Sequence, residues 1–147
     1  MIDAADKAIL SELQTDGRLP YSKLAAVVGM SEAATRQRVH RLIDRGVMQI
    51  VAVTDPTKMG FGYQAMVGVK VDGDPQVVAE RIAEINNADY VVITAGRYDV
   101  IVEVFCRDAA QMLEIVGQQL RETNGVTSTE ILSYLRLVKQ TYDWGTV

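Results

Sequence analysis

Apolar residues change their spacing part-way along this chain of 147 residues, and that change constrains the fold more than any other feature. In the first third they recur every three or four positions, which buries one stripe of a helix. From residue 63 onward, stretches of strict alternation appear, which bury one face of a strand. Two different cores are therefore expected. DPTKMGFG (55–62), rich in Gly and carrying a Pro, reads as the connection between them. The expected organisation is 1–53, a linker 54–62, and a second domain 63–147.

Asp3 is placed to cap a first helix, with Asp6 in its first turn and Ala5, Ile9, Leu10 and Leu13 on its apolar face. Asp16-Gly17 ends it. A short second helix fits Tyr21 to Val28 after Pro20, with Leu24, Val27 and Val28 inward. Gly29-Met30 forms a turn, Ser31 caps a third helix over 32–45, and Gly46 closes it. On a wheel of 100° per residue, Thr35, Val39, Leu42 and Ile43 of this helix face inward. Ala33, Arg36, Gln37, His40 and Arg41 lie opposite, with Arg38 and Arg45 at the margin. MQIVAV (48–53) reads as a strand.

In the second half, YQAMVGVKV (63–71) alternates as a strand, with Tyr63, Ala65, Val67, Val69 and Val71 on one face. A helix over 75–85 follows Pro75 and turns Val78, Ile82 and Ile85 inward. Strands over 90–94 and 100–105 flank the turn GRYD (96–99). Asp108 caps a helix holding Met112, Leu113, Val116 and Leu120, and a last strand spans 127–139. The order β-α-β-β-α-β predicts an α+β chain: a winged-type helix-turn-helix followed by a ferredoxin-like domain with an antiparallel sheet.

The net charge is −4, but it is unevenly spread. Residues 1–53 hold seven basic and six acidic residues; residues 54–147 hold eight and thirteen. Four arginines and the only histidine fall within GMSEAATRQRVHRLIDRG (29–46). At physiological salt a charge is felt over about 8 Å, so this local cluster outweighs the acidic total. Two helices joined by a Gly-containing turn, the second with a cationic face, form a candidate helix-turn-helix. Such a helix fits the DNA major groove. Arg36 can fork onto guanine and Gln37 onto adenine, and small Ala33 permits close approach. His40, Arg41 and Arg45 suit phosphates. The candidate set is Ser31, Ala33, Arg36, Gln37, Arg38, His40, Arg41 and Arg45; the competing reading is an ordinary solvated helix face.

No catalytic constellation is visible. A lone His40 and a lone Cys106, distant in sequence, supply neither a metal's usual three or four ligands nor an adjacent nucleophile and base. Cys106 reads as a small core hydrophobe. With one cysteine, no basic-apolar leader and no apolar run long enough for a membrane, a reducing cytoplasm is the expected setting and no membrane partner is expected. Around GRYD, exposed amides near Gly96 can hold a carboxylate and Asp99 an ammonium; equally, Asp99 can simply stabilise its own hairpin.

DKAILSELQTDGR (6–18), KLAAVVGMS (23–31), RVHRLIDRGVM (38–48), DPTKMG (55–60), GRYD (96–99), GV (125–126) and VKQT (138–141) together resemble the Lrp/AsnC, or feast/famine, family of transcriptional regulators. The resemblance implies double-stranded DNA as a partner and a homodimer assembling to an octamer. It also implies an amino-acid effector, with no other cofactor, bound between subunits near the GRYD turn. The effector-site residues it implies are Ala95, Gly96, Arg97, Tyr98 and Asp99, with Thr127, Ser128 and Thr129 of the neighbouring chain. Pro20, Thr35 and Arg97 depart from the family's usual residues. The alternatives are an amino-acid sensor acting through protein partners and a metabolite-binding enzyme. The phosphate role predicts that Arg41→Ala weakens binding to all DNA sequences and flattens its salt dependence, read by titration at several salt concentrations.

Overall fold

Asp3 and Asp6 begin the first helix by capping each other. The Asp6 amide donates to the Asp3 carboxylate at 2.8 Å, and the Asp3 amide donates to the Asp6 carboxylate at 3.3 Å. This reciprocal box satisfies amides that a helix start leaves open and launches α1 (Ala4–Thr15). The structure, a computed structural model, describes residues 2–142 and 145; the expected end of the second domain at residue 147 lies outside them.

The chain resolves into two compact units, Met1–Val53 with Lys139–Val147, and Thr54–Val138. In the first, α2 (Tyr21–Val28) ends at Gly29, whose φ of +67° provides the left-handed turn toward α3 (Glu32–Asp44). Ser31 caps α3 by accepting the Ala34 amide at 3.2 Å. Ile9, Leu24, Val39 and Leu42 are fully buried, ringed by Leu10, Leu13, Leu19, Tyr21 and Val28. Thr35 is also buried, and its hydroxyl donates to the Ser31 carbonyl at 3.0 Å, so its polar atom is satisfied there.

Three expectations change in this unit. Val27 is 59% exposed, because Leu24, Ala25 and Val28 define the inward direction of α2 and Val27 lies about 110° away from it. Ile43 sits at the edge of α3's apolar stripe and is exposed. MQIVAV forms no strand: among the described residues no ladder runs beside it, and Ile50, Val51 and Val53 remain exposed. A strand needs a second edge to satisfy its amides and carbonyls.

The second unit contains β1 (Tyr63–Val71), α4 (Pro75–Ile82), β2 (Ala88–Ile93), β3 (Val100–Cys106), α5 (Ala109–Met112) and β4 (Val126–Ser133). Sheet order is β2-β3-β1-β4, and every pairing is antiparallel. This is the ferredoxin-like arrangement. Its core joins Ala65, Val67 and Val69 of β1 and Val100, Val102, Val104 and Cys106 of β3 to Val78, Ile82, Ile115, Val116 and Leu120 from the helices.

The helix begun by Asp108 widens after Met112 into a π-helix (Leu113–Leu120). Bonding from i to i+5 carries Ile115 and Leu120 inward together and leaves Leu113 exposed, correcting its assignment to the core. The last strand is shorter than expected. Beyond the Tyr134 amide's bond to Gln64, β1 offers no further partner, and Leu135, Leu137 and Val138 lie exposed. Tyr63, expected inward, is exposed where β1 begins.

Gly68 faces away from the helices on β1, and the Tyr98 ring rests directly on it. A Cβ at Gly68 would lie 2.6 Å from three ring carbons. Gly68→Ala should therefore destabilise the second unit by about 1–3 kcal/mol. The same substitution in a Tyr98→Ala background should cost much less, which a double-mutant cycle by denaturant titration measures.

Candidate functional site

The exposed side of α3 gathers most of the residues expected to meet DNA. Ala33, Arg36, Gln37 and His40 line one continuous surface with Glu32, and Arg41 and Arg45 follow toward the C-terminal end. Ser31 stands at the entrance, exposed while serving as cap. Among the described residues, no ion pair or side-chain hydrogen bond engages Gln37, His40 or Arg45. Arg36 is arranged differently. Its guanidinium bonds Glu32, one turn back, at 3.3 Å and lies 5.0 Å from the centre of the Tyr21 ring.

Arg38 departs from expectation. It donates to Asp3 at 2.6 Å and to Asp6 at 2.8 Å, and its side chain is only 24% exposed. Arg41 donates to the same Asp6 at 3.1 Å while staying half exposed. Arg38 is thus a strut between α1 and α3, not a free cation, because a buried carboxylate claims it. Asp6 itself is 1% exposed. Burial opposes its charge, but the Arg38 hydrogen bond and the Asp3 amide outweigh that, and its pKa is lowered. Asp3 is lowered as well, chiefly by Arg38. Sequence reading gave Asp6 only a helix-end role; its partner stands 32 residues away, and no local pattern joins them.

In the second unit the GRYD turn is fastened on both sides. Thr94 bonds the Asp99 and Tyr98 carbonyls at 2.9 and 2.8 Å through its amide and hydroxyl. Asp99 accepts the Val71 amide at 2.9 Å and the Lys70 ammonium at 3.1 Å. Those two bonds, the amide first, hold its pKa low. The Asp99 carboxylate is therefore bonded to β1 of its own chain, not to the backbone of its own hairpin. Tyr98 donates to Glu130 at 2.5 Å and Arg97 to the same carboxylate at 2.8 Å, so Glu130 on β4 ties this turn to the sheet edge. The bond to Glu130 raises the Tyr98 pKa. Ala95 and Gly96 stay exposed at the tip.

Thr127, Ser128 and Thr129 lie on the far side of β1 from that turn, in the same chain. The Thr127 hydroxyl donates to the Lys70 carbonyl at 3.0 Å, and Thr129 receives the Arg121 guanidinium at 3.2 Å. With Arg121 and Val126 they line a shallow hollow of about 330 Å³. Lys70 thus touches both expected effector segments. Lys70, Arg121 and Glu130 were not singled out in the sequence, because Lys70 and Glu130 are placed by strand register and Arg121 by the end of the π-helix beside β4.

Residues 2–43 match the AsnC-type helix-turn-helix domain, and residues 64–144 match the Lrp/AsnC ligand binding domain. The chain belongs to the Lrp/AsnC family. An uncharacterized HTH-type transcriptional regulator of Pyrococcus furiosus is 34% identical over 99% of this chain and 97% of its own length. The transcriptional regulator LrpA of Pyrococcus horikoshii is 30% identical over 86% of this chain and 92% of its own. Among solved structures, a feast or famine regulatory protein of M. tuberculosis complexed with L-methionine superposes with a TM-score of 0.86 at 26% identity, covering 95% of this chain and 96% of that one. A Neisseria meningitidis transcriptional regulator in complex with L-Met has the same fold, with a TM-score of 0.87 at 24% identity over 99% and 97% of the two chains.

This Lrp/AsnC protein is accordingly a transcriptional regulator with a helix-turn-helix and a ligand-binding domain. Among its described residues, no helix is long and apolar enough to cross a membrane, and no group of three or more His, Cys, Asp or Glu is placed to hold a metal. Cys106 is fully buried, and burial raises its thiol pKa. Asp6→Ala should cost the first unit roughly 3 kcal/mol by chemical denaturation at pH 7, the scale for breaking a buried ion pair. The stability from Asp3 and Asp6 is complete above the ordinary carboxylate value of 3.8 and is lost as pH falls through their lower folded-state values. The acid limb of the stability profile should therefore be flatter in the variant.

Proposed function

We propose that this regulator binds specific double-stranded DNA through α3 and that an amino acid bound to its second domain modulates the binding. The exposed polar and cationic side of α3 carries the reading. It presents small Ala33, then Arg36 and Gln37, then His40, Arg41 and Arg45, on a helix capped and packed by its other side. A helix of this kind fits the major groove, with its first turns reaching base edges and its later cations reaching phosphate. Ser31 and Arg38 serve the interface indirectly, as cap and strut.

The working unit is a homodimer, with four dimers forming an octamer. Apolar surface supports self-association. On the sheet side away from the helices lie Met66, Ile101, Phe105 and Leu132, with Tyr90 54% exposed beside them. Met66, Ile101 and Phe105 are half-buried and Glu103 lies among them, so the exposed apolar part is Leu132 and Tyr90, which can meet a second copy. Two-fold symmetry then implies a roughly palindromic DNA site with half-sites about 34–36 Å apart or a multiple of that. The effector is an amino acid placed between subunits, near Ala95 to Asp99 of one chain and Thr127 to Thr129 of the next. The relatives solved with L-methionine support that class of ligand. The cytoplasm is where such a molecule meets both DNA and amino acids.

Selection of bound sequences from random DNA, repeated across a panel of amino acids, tests these statements together. A palindromic motif whose recovery changes with at least one amino acid is expected. Recovery of no motif under any condition would end the DNA reading. A motif indifferent to the whole panel would end the effector reading alone.

A further inference from the structure

Of the three arginines on α3 and Arg45 just past its end, Arg36 alone is held by an aromatic ring and a carboxylate from two different elements. Tyr21, at the start of α2, packs against the Ile9-Leu24-Val39-Leu42 core with one part of its ring, and the Arg36 guanidinium lies over it 5.0 Å from the ring centre. That separation lies within the range of a cation–π contact. Glu32 occupies one guanidinium nitrogen at 3.3 Å, and the two side chains are 56% and 51% exposed. We propose that Tyr21 and Glu32 are positioning residues that aim Arg36 at a guanine, and that they withhold it from the DNA backbone. The proposal rests on the DNA reading above and adds to it the source of one base preference.

A guanidinium carries five N–H donors, so one bond to Glu32 leaves enough for the two acceptors, O6 and N7, of a guanine edge. The ring beneath restricts the plane in which that fork lies, and a planar fork must be aimed to bond two acceptors at once. Glu32 also cancels the charge of Arg36 locally. A carboxylate beside a guanidinium repels phosphate, so this pair contributes little to counterion release, whereas Arg45, unpaired among the described residues, contributes fully and Arg41, shared with Asp6, contributes in part. Arg36 is therefore the reader, and the cations further along the helix are the anchors.

The test compares base preference and salt slope, using the full-length chain and the motif selected by the wild-type protein. Arg36→Ala should erase preference at one guanine position per half-site, a loss of about tenfold or more, and leave the salt slope nearly unchanged. Tyr21→Leu should weaken preference at that same position, and Tyr21→Phe, which keeps the ring, should restore it. Glu32→Gln should weaken the preference while strengthening binding to unrelated DNA, because a charge repelling phosphate is gone. Thermal melting of each variant reports folding, and the two conservative variants keep the test decisive if Tyr21→Leu unfolds. The proposal is overturned if Glu32→Gln and Tyr21→Leu keep the guanine preference intact, if Tyr21→Phe behaves like Tyr21→Leu, or if Arg36→Ala lowers the salt slope as a phosphate contact would. If the wild-type chain selects no motif, the DNA reading falls and this proposal falls with it.

Discussion

The carboxylate of Asp6 is the point on which the first domain turns. A buried charge is tolerated only when paired and hydrogen-bonded, and Asp6 meets both conditions at once. It closes the capping box of α1, and it gathers Arg38 and Arg41 from α3. The outward helix is therefore fixed to the first helix by charge as well as by the Ile9-Leu24-Val39-Leu42 core. Asp3, Asp6, Arg38 and Arg41 form a cluster with no net charge, and Glu32 offsets Arg36. Counting arginines overstates the field that α3 presents. Much of the positive charge in this segment holds the fold, and only part of it faces outward.

The second domain has an analogous organiser in β1. Gly68 receives the Tyr98 ring, Lys70 reaches Asp99, and the Val71 amide completes the attachment of the GRYD turn. The same strand pairs with β4, where Glu130 holds Arg97 and Tyr98, and where Thr127 returns a bond to Lys70. Arg97 pairs with Glu130 on β4, so its charge is matched within the sheet.

The sequence carried the architecture well, because periodicity is a local signal. Each expected helix and the first three strands of the second domain lie within a few residues of their expected places, the last strand ends six residues early, and the Asp3, Ser31 and Asp108 caps all hold. What escaped was set by distance along the chain or by missing neighbours. Arg38 at the margin of a helix wheel looks like a solvent-facing cation until Asp6, 32 positions earlier, is brought beneath it. MQIVAV has the composition of a strand, but pairing depends on a second edge, which composition cannot supply. Leu113 fits an α-helical stripe and turns outward once the helix widens to π spacing. Asp99 offered two roles, and the register of β1 against β3 gives its carboxylate a third set of partners, the Lys70 ammonium and the Val71 amide.

These electrostatics bear on how such a regulator can work. A helix whose arginines are largely neutralised by its own acids holds nonspecific DNA weakly, since that affinity grows with the number of phosphates neutralised. On the proposed reading, a single module is therefore a poor binder, and useful affinity must come from linking two or more modules on one assembly, where the second contact is made at high effective concentration. Geometry then becomes the controlling variable: two modules bind together only if their spacing matches the duplex. On the same reading, a ligand in the second domain would regulate by binding one spacing better than another, and it could shift the equilibrium by no more than that difference in affinity. Weak modules make the device sensitive, because a small change in spacing removes the linkage on which the binding depends.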